Sequence, residues 1–157
     1  MVNIEIIKEL REATGFSVSI IRKALEEARG DKARAIEVLK AHGATVAEKK
    51  AARVTGEGIV EAYVHANRKV GAMVILMCET DFVARNPMFI ELAHELAMQV
   101  AAMAPKDLKE LLVQPYIKDQ DITIQELIQQ YVARLGENIR LAAFDRHHLW
   151  NVFINTP

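Results

Sequence analysis

The sequence lacks the features that would place it among disulfide-linked, membrane or strongly basic proteins. It has one cysteine in 157 residues, which excludes an intramolecular disulfide framework and favours a reducing compartment. Its 20 basic and 21 acidic residues give a net charge of -1, without the basic excess typical of proteins that neutralise nucleic-acid phosphates. The longest apolar run, Val70 to Cys78, is too short to span a bilayer. We expect neither nucleic acid nor membrane as a direct partner.

Patterns of secretion, catalysis and metal binding are also missing. No signal or transit segment precedes the first helical pattern, so a cytoplasmic location is expected. The five histidines stand at no recognised metal-ligand spacing, and no second cysteine is present for a thiolate cluster. Glycine-rich phosphate-binding loops of the types GxxxxGKS/T and GxGxxG do not occur. We therefore expect no catalytic residue, no metal and no cofactor.

What is present begins with three helical patterns in residues 1–43. The apolar residues of each pattern recur on one face, and the expected helix ends are Gly15, Gly30 and Gly43. Three short helices can bury one small shared core, so these residues predict a three-helix module similar to the ubiquitin-associated domain. Residues 44–57 have few large apolar side chains and are interpreted as a linker that can be partly helical.

Residues 58–146 predict a second region in which strands alternate with helices. Apolar periodicity predicts strands at residues 59–65, 70–78 and 139–144. The second of these strands is apolar on both faces, which favours a central position in the sheet. The expected fold is therefore α+β: the helical module, the linker, and a small antiparallel sheet of about three strands with helices packed on it.

Helix signals surround the predicted strands. Asn86-Pro87 is a good N-cap and first-turn pair, and Thr123 with Glu126 forms a capping-box pattern. A shorter helical turn is indicated near residues 108–112. Residues 147–157 form a tail of unknown structure.

The most distinctive segment lies between the second predicted strand and Asn86-Pro87. The apolar strand runs into Thr80-Asp81-Phe82 before the capped helix begins. A corner of this kind holds its side chains on rigid supports while its tip can project. Composition alone favours Phe82 as a core aromatic and Asp81 as a turn residue; the alternative is that both project.

This segment carries a resemblance to a known family. Thr80-Asp81-Phe82-Val83-Ala84-Arg85-Asn86 resembles the T-D-F-V-A-R/K-N signature of elongation factor Ts, and Glu79 before it also fits. Other stretches resemble the family in the same order: L-R-E-A-T-G at residues 10–15, K-A-L at 23–25, G-D at 30–31, Q-P-Y-I-K-D at 114–119 and L-G-E-N-I at 135–139. The resemblance extends over residues 1–146.

The chain also departs from the family pattern. Ile20 stands where the family usually has an aspartate. The long helical insertion of the family, between the positions of Ala104 and Leu111, is nearly absent from this chain. The tail after Arg146 has no counterpart in the resemblance.

The resemblance implies a function and assigns residues to it. The implied partner is elongation factor Tu in its GDP-bound state, and the implied activity is guanine nucleotide exchange without covalent chemistry, so the chain is not expected to be an enzyme. The N-terminal module would dock on the partner through Leu10, Arg11, Thr14, Gly15 and Lys23. The corner from Thr80 to Asn86 would enter the nucleotide domain, with Phe82 wedged between helices and Asp81 beside the magnesium and phosphate site.

Two other classes remain open at this point. A ubiquitin-associated-type binding module fused to an unrelated α+β domain would account for residues 1–43, but it leaves the Thr-Asp-Phe corner unexplained. An RNA-binding translation protein would use the basic residues Lys49, Lys50, Arg53, Arg68 and Lys69. No aromatic pair accompanies those charges for base stacking, so a solvated linker and turn are the simpler interpretation.

A homodimer is a further expectation. The second predicted strand is apolar on both faces, and the helix that begins at Pro87 can cover only one of them. An uncovered apolar sheet face is a typical surface for self-association. Alternatively, the helix of residues 124–135 covers the second face within one chain.

Overall fold

The chain folds into three helices followed by a region of mixed helices and strands. The computed structural model describes residues 3–151; the end of the predicted tail, residues 152–157, lies outside them. The elements in chain order are α1 (Ile4–Thr14), α2 (Val18–Glu27), α3 (Lys32–Lys50), β1 (Glu57–Val64), β2 (Val70–Cys78), α4 (Asp81–Ala84), α5 (Pro87–Met103), α6 (Leu108–Val113), β3 (Pro115–Tyr116), β4 (Asp119–Thr123), α7 (Ile124–Leu135) and β5 (Arg140–His148). The α+β fold class is confirmed. In the described part of the chain, no helix is both long and apolar enough to cross a membrane.

The first three helices begin at polar caps and share one core. Asn3, Ser17 and Asp31 each accept a hydrogen bond from a backbone N–H in the first turn of the helix that follows. Gly15 (φ 67°) and Gly30 (φ 81°) are left-handed, as the predicted helix ends require. The buried apolar side chains form a cluster of their own: Ile7, Leu10, Phe16, Ile21, Ala24, Leu25, Ala28, Ala35 and Leu39.

The predicted end of the third helix at Gly43 is wrong. α3 continues to Lys50, so the first half of the predicted linker is helical. Gly43 is buried, and a Cβ on it would lie 3.6 Å from the carbonyl oxygen of Gln129 in α7. This glycine therefore marks a close approach of two helices and not a helix end. Beyond it, Val46 and Ala47 pack against the core of the second region.

Strands β1, β2 and β5 form one antiparallel sheet with β2 in the centre, as predicted. Val74 of β2 lies opposite Glu61 of β1 on one side and Phe144 of β5 on the other. β1 begins earlier than predicted, at Glu57, and β5 ends later, at His148. The last strand therefore includes the first two residues of the predicted tail.

Within residues 3–151, helices cover only one face of this sheet. α5 packs across β1 and β2, and α7 packs on α3 and α5. On the opposite face, Val60 pairs with Ile75, and these residues are 64% and 39% exposed. Val64 and Met73 are also exposed on this surface, which we call the outer sheet face and define by Val60, Val64, Met73 and Ile75. The alternative in which α7 covers the second face is wrong.

The hairpin formed by β3 and β4 was not predicted, and a buried glutamine holds it in place. Gln99 of α5 is fully buried; its Nε2 donates to the Pro115 carbonyl oxygen at 3.0 Å and its Oε1 accepts from the Ile117 N–H at 3.0 Å. The Tyr116 hydroxyl donates to Glu95 at 2.6 Å. Burial and this carboxylate raise the pKa of Tyr116. A strand of two residues is too short to show a periodicity in the sequence.

Candidate functional site

The corner between β2 and α5 is built from two helix caps close together in sequence. Thr80 caps the single turn of α4, because its Oγ1 accepts the Val83 N–H at 3.4 Å. Asn86 caps α5, because its Oδ1 accepts the Met88 N–H at 2.9 Å, and Pro87 occupies the first turn of that helix. These two caps limit the freedom of the backbone between them.

Phe82 stands on the outside of this corner. It is 82% exposed, whereas Ala84 is buried and Val83 packs against the main core. The interpretation of Phe82 as a core aromatic is wrong, and the alternative, that Phe82 projects from the corner, is confirmed. A phenyl ring left in water forgoes roughly 1.5–3 kcal/mol of burial free energy, which a cleft on a partner can recover.

Asp81 lies beside Phe82 and carries the negative charge of the corner. Its Oδ2 accepts a hydrogen bond from Arg85 Nη2 at 2.9 Å, one turn further along the chain. The side chains of Asp81 and Arg85 are 47% and 79% exposed. Exposed ion pairs of this kind contribute little to stability, so the Asp81 carboxylate stays available to a partner.

The back of the corner is held by the residues that follow α7. Glu137 Oε2 accepts the N–H groups of Glu79 and Thr80 at 2.9 and 3.0 Å, and its Oε1 accepts the Thr80 hydroxyl at 2.5 Å. In return, Glu79 Oε1 accepts the N–H of Asn138 at 2.7 Å. The two segments are therefore joined by four hydrogen bonds to carboxylates, a charge-assisted and relatively strong kind.

Cys78 is the last residue of β2 and lies fully buried behind the corner. Its thiol donates to the carbonyl oxygen of Thr80 at 3.2 Å. Burial, with the Glu137 carboxylate adding to it, raises the pKa of the Cys78 thiol to about 11. The thiol is therefore protonated at neutral pH, and the prediction of a buried thiol is confirmed.

The residues assigned to docking in the N-terminal module differ in exposure. Leu10 is fully buried and Thr14 is 7% exposed, with its hydroxyl donating to the Leu10 carbonyl oxygen at 2.6 Å. Gly15 is left-handed, and a Cβ on it would overlap the guanidinium of Arg134. These three residues shape the module and its contact with α7. Only Arg11 and Lys23 of the assigned set present exposed side chains.

Comparison with known proteins places this sequence in a family. The sequence model of elongation factor Ts matches residues 79–155, which include the corner and the segment behind it. Elongation factor Ts of Thermotoga maritima is 39% identical, with 94% of this chain and 96% of that protein covered. Similar proteins also named elongation factor Ts occur in Carboxydothermus hydrogenoformans (36% identical; 95% and 89% covered) and, as a chloroplastic form, in Guillardia theta (39% identical; 91% and 86% covered). The chain belongs to the elongation factor Ts family.

Family membership decides between two of the sequence interpretations. The relatives match across both the helical module and the sheet region, so a ubiquitin-associated-type module fused to an unrelated domain is excluded. The alignment with the Thermotoga maritima protein spans 191 positions, more than the 157 residues of this chain, so that relative carries internal residues without a counterpart here. In the structure, α5 and α6 are joined by residues 104–107 alone, where the contraction was predicted.

Two residues of the site had no role in the sequence analysis. Glu137 and Asn138 were noticed only as part of the L-G-E-N-I resemblance, about 60 residues from the corner they contact. The glycine before them ends α7, and nothing in the local pattern shows where the chain turns next. Their sequence signal was a charged residue directly after a helix-ending glycine, which by itself indicates only a loop.

Proposed function

We propose that this member of the elongation factor Ts family is a guanine nucleotide exchange factor. It binds elongation factor Tu in the GDP-bound state and speeds release of GDP without covalent chemistry, so it is not an enzyme. One observation supports this proposal most: Phe82 is 82% exposed on a backbone fixed by two caps. A large apolar side chain held out in this way is suited to enter a cleft on another protein.

The exchange follows from linkage between two binding events. A factor that lowers nucleotide affinity by some ratio has its own affinity lowered by nucleotide in the same ratio. Each tenfold of that ratio requires about 1.4 kcal/mol of differential contact. Burial of Phe82 supplies roughly 1.5–3 kcal/mol, which corresponds to one or two powers of ten. The remainder must come from charge and from the docking module.

The other corner residues have separate roles in the proposed exchange. Asp81 brings a carboxylate beside the wedge, where it disfavours bound phosphate and competes for magnesium coordination. Arg85 orients Asp81 through the 2.9 Å ion pair. Val83 and Ala84 anchor the turn on the core, and the caps Thr80 and Asn86 fix its two ends.

The N-terminal module supplies docking in this proposal. Arg11 and Lys23 are the exposed cations among the residues assigned to it, so they are its candidate contacts with an acidic surface of the partner. In this proposal residues 1–43 form the module, and α3 continues from it through the first half of the predicted linker to Lys50, with Val46 and Ala47 packed against the core. The location proposed for the protein is the compartment that holds elongation factor Tu, the cytoplasm in a bacterium.

The structure gives less support to the RNA-binding alternative than to nucleotide exchange. Of its five cations, Arg53 already pairs with Glu79 at 3.6 Å, and Arg68 and Lys69 lie in the turn between β1 and β2. RNA binding with a steep dependence on salt concentration would revive it.

The direct test is release of labelled GDP from purified elongation factor Tu. We expect catalytic amounts of the chain to speed release, with the factor recovered unchanged. A rate that stays at the spontaneous value at all concentrations of the chain would overturn the proposal.

A further inference from the structure

Glu137 directly follows the glycine that ends α7, and its carboxylate turns back towards the corner. Gly136 is left-handed (φ 78°), which reverses the chain at the end of the helix. At the other end of the same helix, Glu126 accepts the Thr123 N–H at 2.7 Å in a capping box. A glutamate near each end of α7 therefore accepts from backbone N–H, one group at Glu126 and two at Glu137, but only Glu137 contacts the corner.

The contacts of Glu137 reach the only two backbone N–H groups between the end of β2 and the start of α4. Those groups belong to Glu79 and Thr80, and both donate to Glu137 Oε2. The Thr80 hydroxyl, which also accepts the Val83 N–H, donates to Glu137 Oε1. Without this carboxylate, these two N–H groups would have no partner in the sheet or in the turn of α4, and the backbone here would gain freedom.

The same junction reaches the end of the N-terminal helices through Asn138. Asn138 Nδ2 donates to the carbonyl oxygens of Ala51 and Arg53 at 3.3 and 2.9 Å, directly after α3. Glu79 Oε1, which accepts the Asn138 N–H, also lies 3.6 Å from Arg53 Nη1. The corner, the end of α7 and the end of α3 thus meet at one point.

We propose that Glu137 is a positioning residue for nucleotide exchange. It fixes the backbone at Glu79 and Thr80 before the partner arrives, so that Phe82 is presented in one orientation and no ordering of the corner is left for the binding step. This inference rests on the exchange function proposed above. In this proposal Glu137 does not contact the partner; it acts by holding the corner in place.

The experiment compares three variants of the full chain. Glu137→Ala removes all three contacts, and Glu137→Gln keeps an oxygen that can accept both N–H groups. Glu126→Ala is the matched control, since it removes a carboxylate from one backbone N–H, that of Thr123, at the opposite end of α7, about 16 Å away along the helix. Each variant is measured for GDP release from elongation factor Tu at saturating factor, for thermal unfolding, and for hydrogen exchange of the Glu79 and Thr80 amides without partner.

We expect Glu137→Ala to lower the maximal release rate about tenfold, less than the roughly hundredfold loss that a misplacement of 1 Å can cause, because the two caps still hold part of the corner. Amide exchange at Glu79 and Thr80 should become faster in the same variant. Glu137→Gln should retain most of the rate, and Glu126→Ala should retain all of it despite a comparable decrease in melting temperature. If Glu137→Ala does not fold, Glu137→Asp replaces it, and the same losses are expected because its carboxylate is withdrawn by one methylene.

Three results would each overturn the inference. The first two are an unchanged maximal rate in the Glu137→Ala variant and an equal loss in Glu126→Ala. The third is unchanged protection of the Glu79 and Thr80 amides in the Glu137→Ala variant, a measurement that needs no partner. If the wild-type chain does not speed GDP release, the exchange function fails, while the amide measurement still decides whether Glu137 fixes the corner.

Discussion

Gly43 in α3 packs against the backbone of Gln129 in α7, close enough that a Cβ would lie 3.6 Å from the Gln129 carbonyl oxygen. This is ordinary van der Waals contact, so a methyl group fits, whereas a longer side chain would separate the two helices. The crossing joins the helix of the N-terminal module to the sheet region, and it explains why a small residue occurs at this point of a continuous helix.

The crossing predicts opposite effects of two substitutions at Gly43. Gly43→Ala should increase the free energy of unfolding by about 0.5–1 kcal/mol, because alanine is the better helix former and its methyl group is accommodated. Gly43→Leu should decrease it by about 1–3 kcal/mol through overpacking. Denaturant unfolding of both variants checks this; destabilisation by Gly43→Ala would show that the contact is tighter than the structure indicates.

Phe82→Ala should separate activity from stability. Since Phe82 is 82% exposed, its loss should change the free energy of unfolding by no more than about 0.5 kcal/mol, while GDP release should fall at least tenfold. Phe89→Ala is the structural control: Phe89 is fully buried, so the variant should lose about 3–5 kcal/mol. GDP release and unfolding are measured on the same samples, and a large stability loss in Phe82→Ala would contradict the projecting wedge.

Charge reversal in the N-terminal module should weaken binding of the partner. Lys23→Glu should raise the concentration of factor needed for half-maximal GDP release, about tenfold at low salt, and leave the maximal rate unchanged. Lys109→Glu in α6 makes the same change in net charge at another exposed lysine and should have no such effect. Equal behaviour of the two variants would remove Lys23 from the docking surface.

The outer sheet face should mediate a homodimer. Ile75→Lys places a charge among the exposed apolar side chains of this face and should give a monomer at concentrations where the parent chain is dimeric. Val113→Lys is the control, because Val113 is 65% exposed on α6, away from the sheet face. Light scattering at micromolar concentration tests this, and a parent chain that is monomeric at every concentration would exclude the dimer.

The Cys78 thiol should be unreactive in the folded protein. Its pKa is raised to about 11, so at pH 8 it is protonated as well as buried, and a thiol reagent should modify it only after unfolding. Because the thiol is the favoured form in the folded state, the raised pKa adds to the free energy of unfolding. This contribution is complete at pH values below the ordinary pKa of a cysteine and is lost as the pH rises towards 11. Rapid labelling of the native chain would contradict the buried position.

Local sequence determined a large part of this protein. Polar caps and left-handed glycines defined the starts and ends of helices, and a continuous apolar run defined the central strand Val70–Cys78 to the residue. These signals work because they depend on hydrogen bonds and side-chain periodicity within a few residues of chain. The family could be read from the sequence for a similar reason, since its signature residues are contiguous at the corner.

Other features depend on contacts between residues far apart in the chain, and only the tertiary structure decided these. The sequence could not show that Gly43 lies at a helix crossing, because the residue that it contacts, Gln129, lies in another helix far away in the chain. Composition favoured a buried Phe82, and only the packing of Ala84 and Val83 beneath it turned the ring outwards. The position of Glu137 also depends on tertiary structure. Its carboxylate, which follows α7, accepts two backbone N–H groups that have no partner in a strand or helix, and this contact forms only when the chain is folded.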